Sequence, residues 1–253
     1  MIALKTSSFT VHAIDGYIET LYLVEYPTKL LLLDGGCRCD ADVVVEYIAT
    51  LGRSITELKL VVITHHHPDH SGAAPILQKQ YGIPIAALPI INKWYVGLNG
   101  WLTQKTDIFL TYYVARKKKK RFKHLRFPRM INIDFPLTDG ASIPLFEDWQ
   151  LLCTPGHTTV DTSIYHCQES IAYVADLLIG FGTRYSMPYP ISDPVHYRQS
   201  LSTIKELNLK HILLAHHGAH SIPSDIFDSI INQVSNRPKN HVNSIKYQLG
   251  LNR

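Results

Sequence analysis

The stretch Leu58-Lys59-Leu60-Val61-Val62-Ile63-Thr64-His65-His66-His67-Pro68-Asp69-His70-Ser71-Gly72 decides how this chain is read. Its first six residues form a short apolar run that fits a buried strand. The run ends directly at four side chains able to bind a metal: His65, His67, Asp69 and His70. In an extended segment, residues two apart point the same way. His65 and His67 can therefore converge on one ion while His66 points away. Pro68 sets a turn, so Asp69 and His70 can aim at a second position. An affinity tag would be terminal and would not follow a buried strand, so the cluster reads as a donor set at a strand end.

Upstream, residues 9–14, 17–25 and 29–33 are rich in β-branched and aromatic side chains and read as strands. Residues 40–51 place Val43, Val44, Tyr47, Ile48 and Leu51 on one helical face, with Gly52 as a stop. Downstream, 71–81 reads as a helix and 83–88 as a strand. Strand-like runs return at 141–146, 149–153, 162–167, 171–175 and 209–215, and helices are expected over 195–207 and 223–234. The tail, 235–253, is polar and gives no reading. Strands alternating with helices point to a layered α/β protein. Between them, roughly 89–136 is too long for a simple connection, so this segment is expected to be a helical insertion in a single domain spanning 1–253.

Three further strand-like runs end in candidate ligands. His157 follows Leu151-Leu152-Cys153 within Thr154-Pro155-Gly156-His157-Thr158, Asp176 follows the run 171–175, and His216-His217-Gly218 follows the run 211–215. Imidazole and carboxylate donors without thiolate suit zinc, iron or manganese. Histidine is also the compositional outlier, at 14 residues. The four cysteines make no CxxC pair and are expected to be reduced or buried, with a Cys37–Cys39 metal pair as the lesser alternative.

The net charge of +4 hides a local excess. Arg116, Lys117, Lys118, Lys119, Lys120, Arg121, Lys123, Arg126 and Arg129 carry nine positive charges; removing them from +4 leaves −5 for the rest. Three readings stand: a solvated helix face, steering of an anionic substrate, and contact with nucleic acid or an anionic membrane surface. The N-terminus lacks the apolar core and cleavage site of a signal peptide. No apolar run reaches the roughly eighteen residues of a transmembrane helix. A cytoplasmic protein is expected.

The HxHxDH pattern of His65, His67, Asp69 and His70, completed by the later strand ends, resembles the metallo-β-lactamase superfamily over roughly residues 17–217. The resemblance implies a four-layer αββα sandwich. It implies a first metal on His65, His67 and His157, a second on Asp69, His70 and His217, and Asp176 bridging the two. His217 is preferred to His216 because the family's ligand usually precedes a glycine. Asp34, in Leu33-Asp34-Gly35-Gly36, matches a supporting acidic position. The intact motif favours two divalent ions, zinc before iron or manganese, in a site of the glyoxalase II or lactonase kind.

The implied chemistry is attack by a hydroxide bridging the two ions on an ester, thioester or lactone bond of a small molecule, with Asp69 orienting it or passing a proton. The substrate is expected to be anionic or acyl-bearing. Tyr185, Tyr189 and Tyr197 are candidate substrate contacts. The alternative is a phosphodiesterase or nuclease that holds phosphates with the basic insertion, although nucleic acid is not the expected partner. The aromatics from Trp94 to Tyr113 suit a lid or a homodimer contact.

Overall fold

The computed structural model describes residues 1–182 and 184–238. The chain divides into two compact units, Met1–Leu151 and the residues from Leu152 onward.

The first unit is built on a seven-stranded sheet whose strands follow in chain order. Strands β1 (Ile2–Lys5), β2 (Thr10–Asp15), β3 (Thr20–Glu25) and β4 (Leu30–Leu33) run antiparallel to one another. Helix α1 (Asp40–Thr50) then returns the chain so that β5 (Leu58–Ile63) lies parallel to β4, with Leu32 beside Val61 and Leu33 beside Val62. Every residue of β4 is buried, as are all of β5 except Lys59, which is why both are near-continuous apolar runs rather than alternating ones.

The helix expected over 71–81 is divided. A short turn, α2 (Pro68–Ser71), begins on Pro68 with His67 as its cap, and α3 (Ala74–Tyr81) follows. Strand β6 (Ile85–Ala87) continues the parallel pairing, and after the insertion β7 (Phe135–Pro136) closes the sheet.

The insertion contains one α-helix, α4 (Gly97–Lys117), preceded by a 3-10 turn at Pro89–Lys93. Residues 118–134 form neither helix nor strand, so most of the basic run is not a solvated helix face. Continuing the helix would stack like charges three and four residues apart. Stopping at Lys117 leaves Arg116 and Lys117 in the last turn, where cations are favoured. The stretch is nevertheless tied down. Lys118 Nζ donates to the Ile18 carbonyl, Tyr17 Oη donates to the Arg121 carbonyl at 2.9 Å, and Leu125 is buried with Tyr17, Ile18, Cys37 and Ala115.

The boundary between the units falls within β9 (Phe146–Cys153), which pairs with the short β8 (Ser142–Ile143) around Leu145 at φ 68°. A strand through 146 and a second from 149 were expected. Leu145 takes the turn instead, and β9 runs unbroken from Phe146. The second sheet has the order β15-β14-β11-β10-β9-β8, where β10 is Thr162–His166, β11 Ile171–Tyr173, β14 His211–Leu214 and β15 Gly218–His220. A separate hairpin joins β12 (Ile179–Phe181) and β13 (Arg184–Ser186).

Helix α5 (Pro194–Glu206) starts on Pro194, with the Asp193 carboxylate accepting the His196 N–H at 3.1 Å. Tyr197, Leu201 and Ile204 of α5 pack with Ile212 and Leu214 of β14 and with Phe227 and Ile230 of α6 (Ser224–Gln233) in one apolar cluster. No helix among the described residues is long and apolar enough to cross a membrane. Of the tail, 239–253 lies outside the described residues.

Candidate functional site

In the first unit the donor loop is organised by Asp34. This residue ends β4 in the left-handed region, at φ 59°, and its carboxylate accepts three hydrogen bonds. Thr64 gives two of them, from its backbone N–H at 2.8 Å and its hydroxyl at 2.7 Å; His70 Nδ1 gives the third, at 2.8 Å. Because the Thr64 hydroxyl donates to Asp34, its oxygen accepts from His65 Nδ1, 3.1 Å away. Protons are thereby placed on the Nδ1 atoms of His65 and His70, and the lone pairs on their Nε2 atoms.

The two rings lie 4.1 Å apart between centroids, and His65 Nε2 is 3.1 Å from His67 Nδ1. All of these side chains, with Asp69, are buried. Buried imidazoles and a carboxylate are donors of the kind that hold divalent cations, with His65 beside His67 and Asp69 beside His70.

His66 turns the other way, as its place in an extended segment implies. Its Nδ1 lies 3.0 Å from Ser71 Oγ, and its ring packs at 5.1 Å from Tyr95 and 5.3 Å from Phe127. Burial pushes its imidazole down to about 4, so it is a neutral packing residue at neutral pH. Gly72 lets the loop settle: a Cβ there would meet the Pro68 carbonyl oxygen at 2.4 Å and the Arg38 nitrogen at 2.6 Å. The insertion reaches the same loop, because His67 packs against Trp94 at 5.9 Å and faces Asp107 at 3.8 Å, while Asp107 accepts from Tyr95 Oη at 2.8 Å.

In the second unit His157, Asp176 and His216 come together. His157 Nδ1 donates to the Pro190 carbonyl at 2.8 Å, which directs Nε2 toward Asp176, 3.5 Å away. Asp161 steadies that turn by accepting from the Gly156 and Thr158 N–H groups at 3.0 and 2.7 Å. His216 Nε2 lies 3.3 Å from the other Asp176 oxygen.

His217, the preferred last ligand from the sequence, points elsewhere. Its Nε2 sits 2.6 Å from the Gly182 carbonyl, and its ring stacks on His220 at 4.6 Å. Of the histidine pair, it is His216 that meets Asp176. Tyr197 is corrected too. It is fully buried, its hydroxyl donates to the Leu177 carbonyl at 2.7 Å, and its Cβ and Cα lie where a Cβ on Gly156 would sit. It is a packing residue. Tyr185 is half-buried beside His220, and Tyr189 is exposed.

The cysteines are all free. Burial and the neighbouring carboxylates hold the Cys37 thiol well above its usual range and push Cys39 up to about 12, so both are thiols at neutral pH. Sequence reasoning missed the role of Thr64 as the relay between Asp34 and His65. A hydroxyl directly between a buried strand and the first histidine was the available signal.

The chain matches the family model described as the metallo-beta-lactamase superfamily over residues 14–216. It is 25% identical over 183 residues to the probable metallo-hydrolase YflN of Bacillus subtilis, covering 67% of this chain and 64% of that protein. It is 34% identical over 98 residues to ribonuclease J 1 of Streptococcus pyogenes, covering 35% of this chain but only 18% of that protein. The chain thus spans less than two thirds of the length of either relative. Among solved structures, the metallo-beta-lactamase family protein TTHA1429 of Thermus thermophilus has a TM-score of 0.64 at 17% identity, over 88% of this chain and 78% of that one.

Proposed function

Since the chain belongs to the metallo-beta-lactamase superfamily and shares the fold of its solved members, we propose that it is a binuclear metal-dependent hydrolase acting on an ester, thioester or lactone bond of a small molecule. The observation that carries this reading is the Asp34 network, which fixes the tautomers of His65 and His70 so that both present Nε2. Residues that only packed together would not need their lone pairs set in this way.

His65, His67 and His157 would hold one ion, and Asp69, His70 and His216 the other, with Asp176 shared; zinc suits these donors best, then iron or manganese. When bound, two such ions make water nucleophilic at neutral pH and polarise the bond to be cleaved. Asp69, buried in the first turn of α2, is the residue to take or return a proton at the reacting centre. Tyr189 and Tyr185 remain the candidates for substrate contact.

The match to a ribonuclease and the exposed basic stretch favour a second reading, phosphodiester hydrolysis. The two readings separate on a panel of thioesters, lactones, bis(p-nitrophenyl) phosphate and single-stranded RNA, with metal content measured on the same preparation. About two ions per chain after reconstitution and turnover of the carbonyl esters support the first reading. Turnover confined to the phosphodiesters supports the second. Less than about one ion per chain with no turnover sinks both. Asp176→Ala and His216→Ala should each lose metal and at least about a hundredfold in turnover, whereas His217→Ala should keep both.

A further inference from the structure

Beside the insertion lies a cavity of about 520 Å³, open to solvent and lined by none of the proposed metal ligands. Four cationic side chains line it: Arg38 beside the start of α1, Lys105 on α4, and Arg126 and Arg129 on the irregular stretch. Two aromatic faces join them, Trp101 and Phe127. None of the four cations forms an ion pair with a carboxylate among the described residues, and all four are exposed to solvent. Arg129 spends one guanidinium nitrogen on the Tyr95 and Gly97 carbonyls, at 3.5 and 3.4 Å, which leaves the rest of its fork for another acceptor.

Two hydrogen bonds hold the irregular stretch against α4. Gln104, buried on α4, donates to the Phe127 carbonyl at 3.0 Å, and Tyr112 accepts the Leu125 N–H at 3.3 Å. Phe127 is buried against the His66 ring, and the Arg38 backbone supports Gly72, so the cavity is seated on the donor loop itself. Four like charges around one void repel one another, and only a multiply charged anion can neutralise them together. A single carboxylate satisfies one; a diphosphate carries several negative charges and accepts the bidentate bonds that guanidinium groups give. Trp101 is 43% exposed, with Lys105 Nζ 5.7 Å from its ring centre, and it offers a flat face on which a planar group can stack. The volume lies in the range of sites that take ligands of nucleotide size.

We propose that this cavity is a recognition site for a small phosphorylated molecule that joins a di- or polyphosphate to a planar ring. The inference stands on the cavity and not on the bond the protein cleaves, so it is tested by binding alone. The experiment is titration calorimetry on the full chain with ADP, with pyrophosphate, adenosine, citrate and an oligouridylate as comparisons. ADP is expected to bind in the micromolar range and adenosine not measurably. Arg126→Gln/Arg129→Gln should weaken ADP by at least about thirtyfold, in line with the loss of two charge-assisted contacts. Trp101→Ala should weaken ADP by about fivefold while leaving pyrophosphate unchanged.

These substituted residues are exposed and lie outside the proposed metal ligands, so their effects report on the cavity. ADP binding that is unchanged in the arginine variant overturns the proposal, because the phosphates then sit elsewhere. Citrate binding as tightly as ADP, or an oligouridylate binding more than about a hundredfold tighter than ADP, also overturns it, in favour of a bare charge sink or an RNA track.

Discussion

Asp34 spends its carboxylate on the backbone and hydroxyl of Thr64 and on His70, all of them buried. An amide in its place would have one oxygen where three donors now converge. Asp34→Asn should therefore leave the chain folded but weaken metal binding by about ten- to a hundredfold, the usual cost of losing a residue that orients ligands. Competition against a chromogenic chelator measures this directly, and unchanged affinity would remove Asp34 from the orienting role. At this scale the sequence was most legible where residues follow a strand. Alternation alone separated His65 and His67 from His66. It could not separate His216 from His217, because the pair lies in the reversal between β14 and β15, where Gly218 at φ 91° breaks the alternation. Tyr197 misled for a related reason. Its hydroxyl suggests a ligand contact, and only the close approach of Gly156 to Tyr197 and the hydroxyl's bond to the Leu177 carbonyl show that it is packing.

Among the elements, the junction of β3 with α1 holds an unusual pair. Glu19, at the entry to β3, and Asp40, the first residue of α1, are both buried with Cys37 between them, and the Cys37 N–H donates to Asp40 at 2.8 Å. Burial raises both carboxyls, Glu19 well above its ordinary range with Asp40 adding to it, and Asp40 to about 6. An unfolded aspartate titrates near about 4. The folded state therefore binds more protons than the unfolded chain between about pH 4 and 6, and stability falls as pH rises through that window. Glu19→Gln removes one of the two charges while keeping an acceptor. It should raise stability at pH 7.5 by about 1–2 kcal/mol and flatten the loss between pH 4 and 6. Urea unfolding at pH 5 and 7.5 gives the comparison; equal or higher stability of the unsubstituted protein at the higher pH would refute the account. Strand β5 was readable with its bounds, since six apolar residues buried on both faces have few other uses. Strands β1 and β15 were not, because each lies at a sheet edge and is incompletely buried.

Across the whole molecule, the α/β class and the order of the central elements followed from periodicity, whereas the insertion did not. Its helix α4 buries mainly small and polar residues, Gly100, Gln104, Asp107, Thr111 and Ala115, so no apolar stripe announces which face is inward. The stretch after it has a practical consequence. Residues 118–134 have no regular hydrogen-bonded structure, and Arg121, Lys123, Arg126 and Arg129 are all exposed there. A protease that cleaves after basic residues requires such an accessible, deformable backbone. Among bonds within the described residues, brief exposure to trypsin should cut here first, well before the sheets are touched, and peptide mass mapping of the earliest fragments identifies the bond. ADP in the cavity should slow cutting after Arg126 and Arg129 more than after Arg121. A first cut elsewhere would show that this segment is held more tightly than its irregular backbone implies. With the first cut in this segment, the basic run is also a point of entry for degradation, and an occupied cavity would lengthen the life of the protein that holds it.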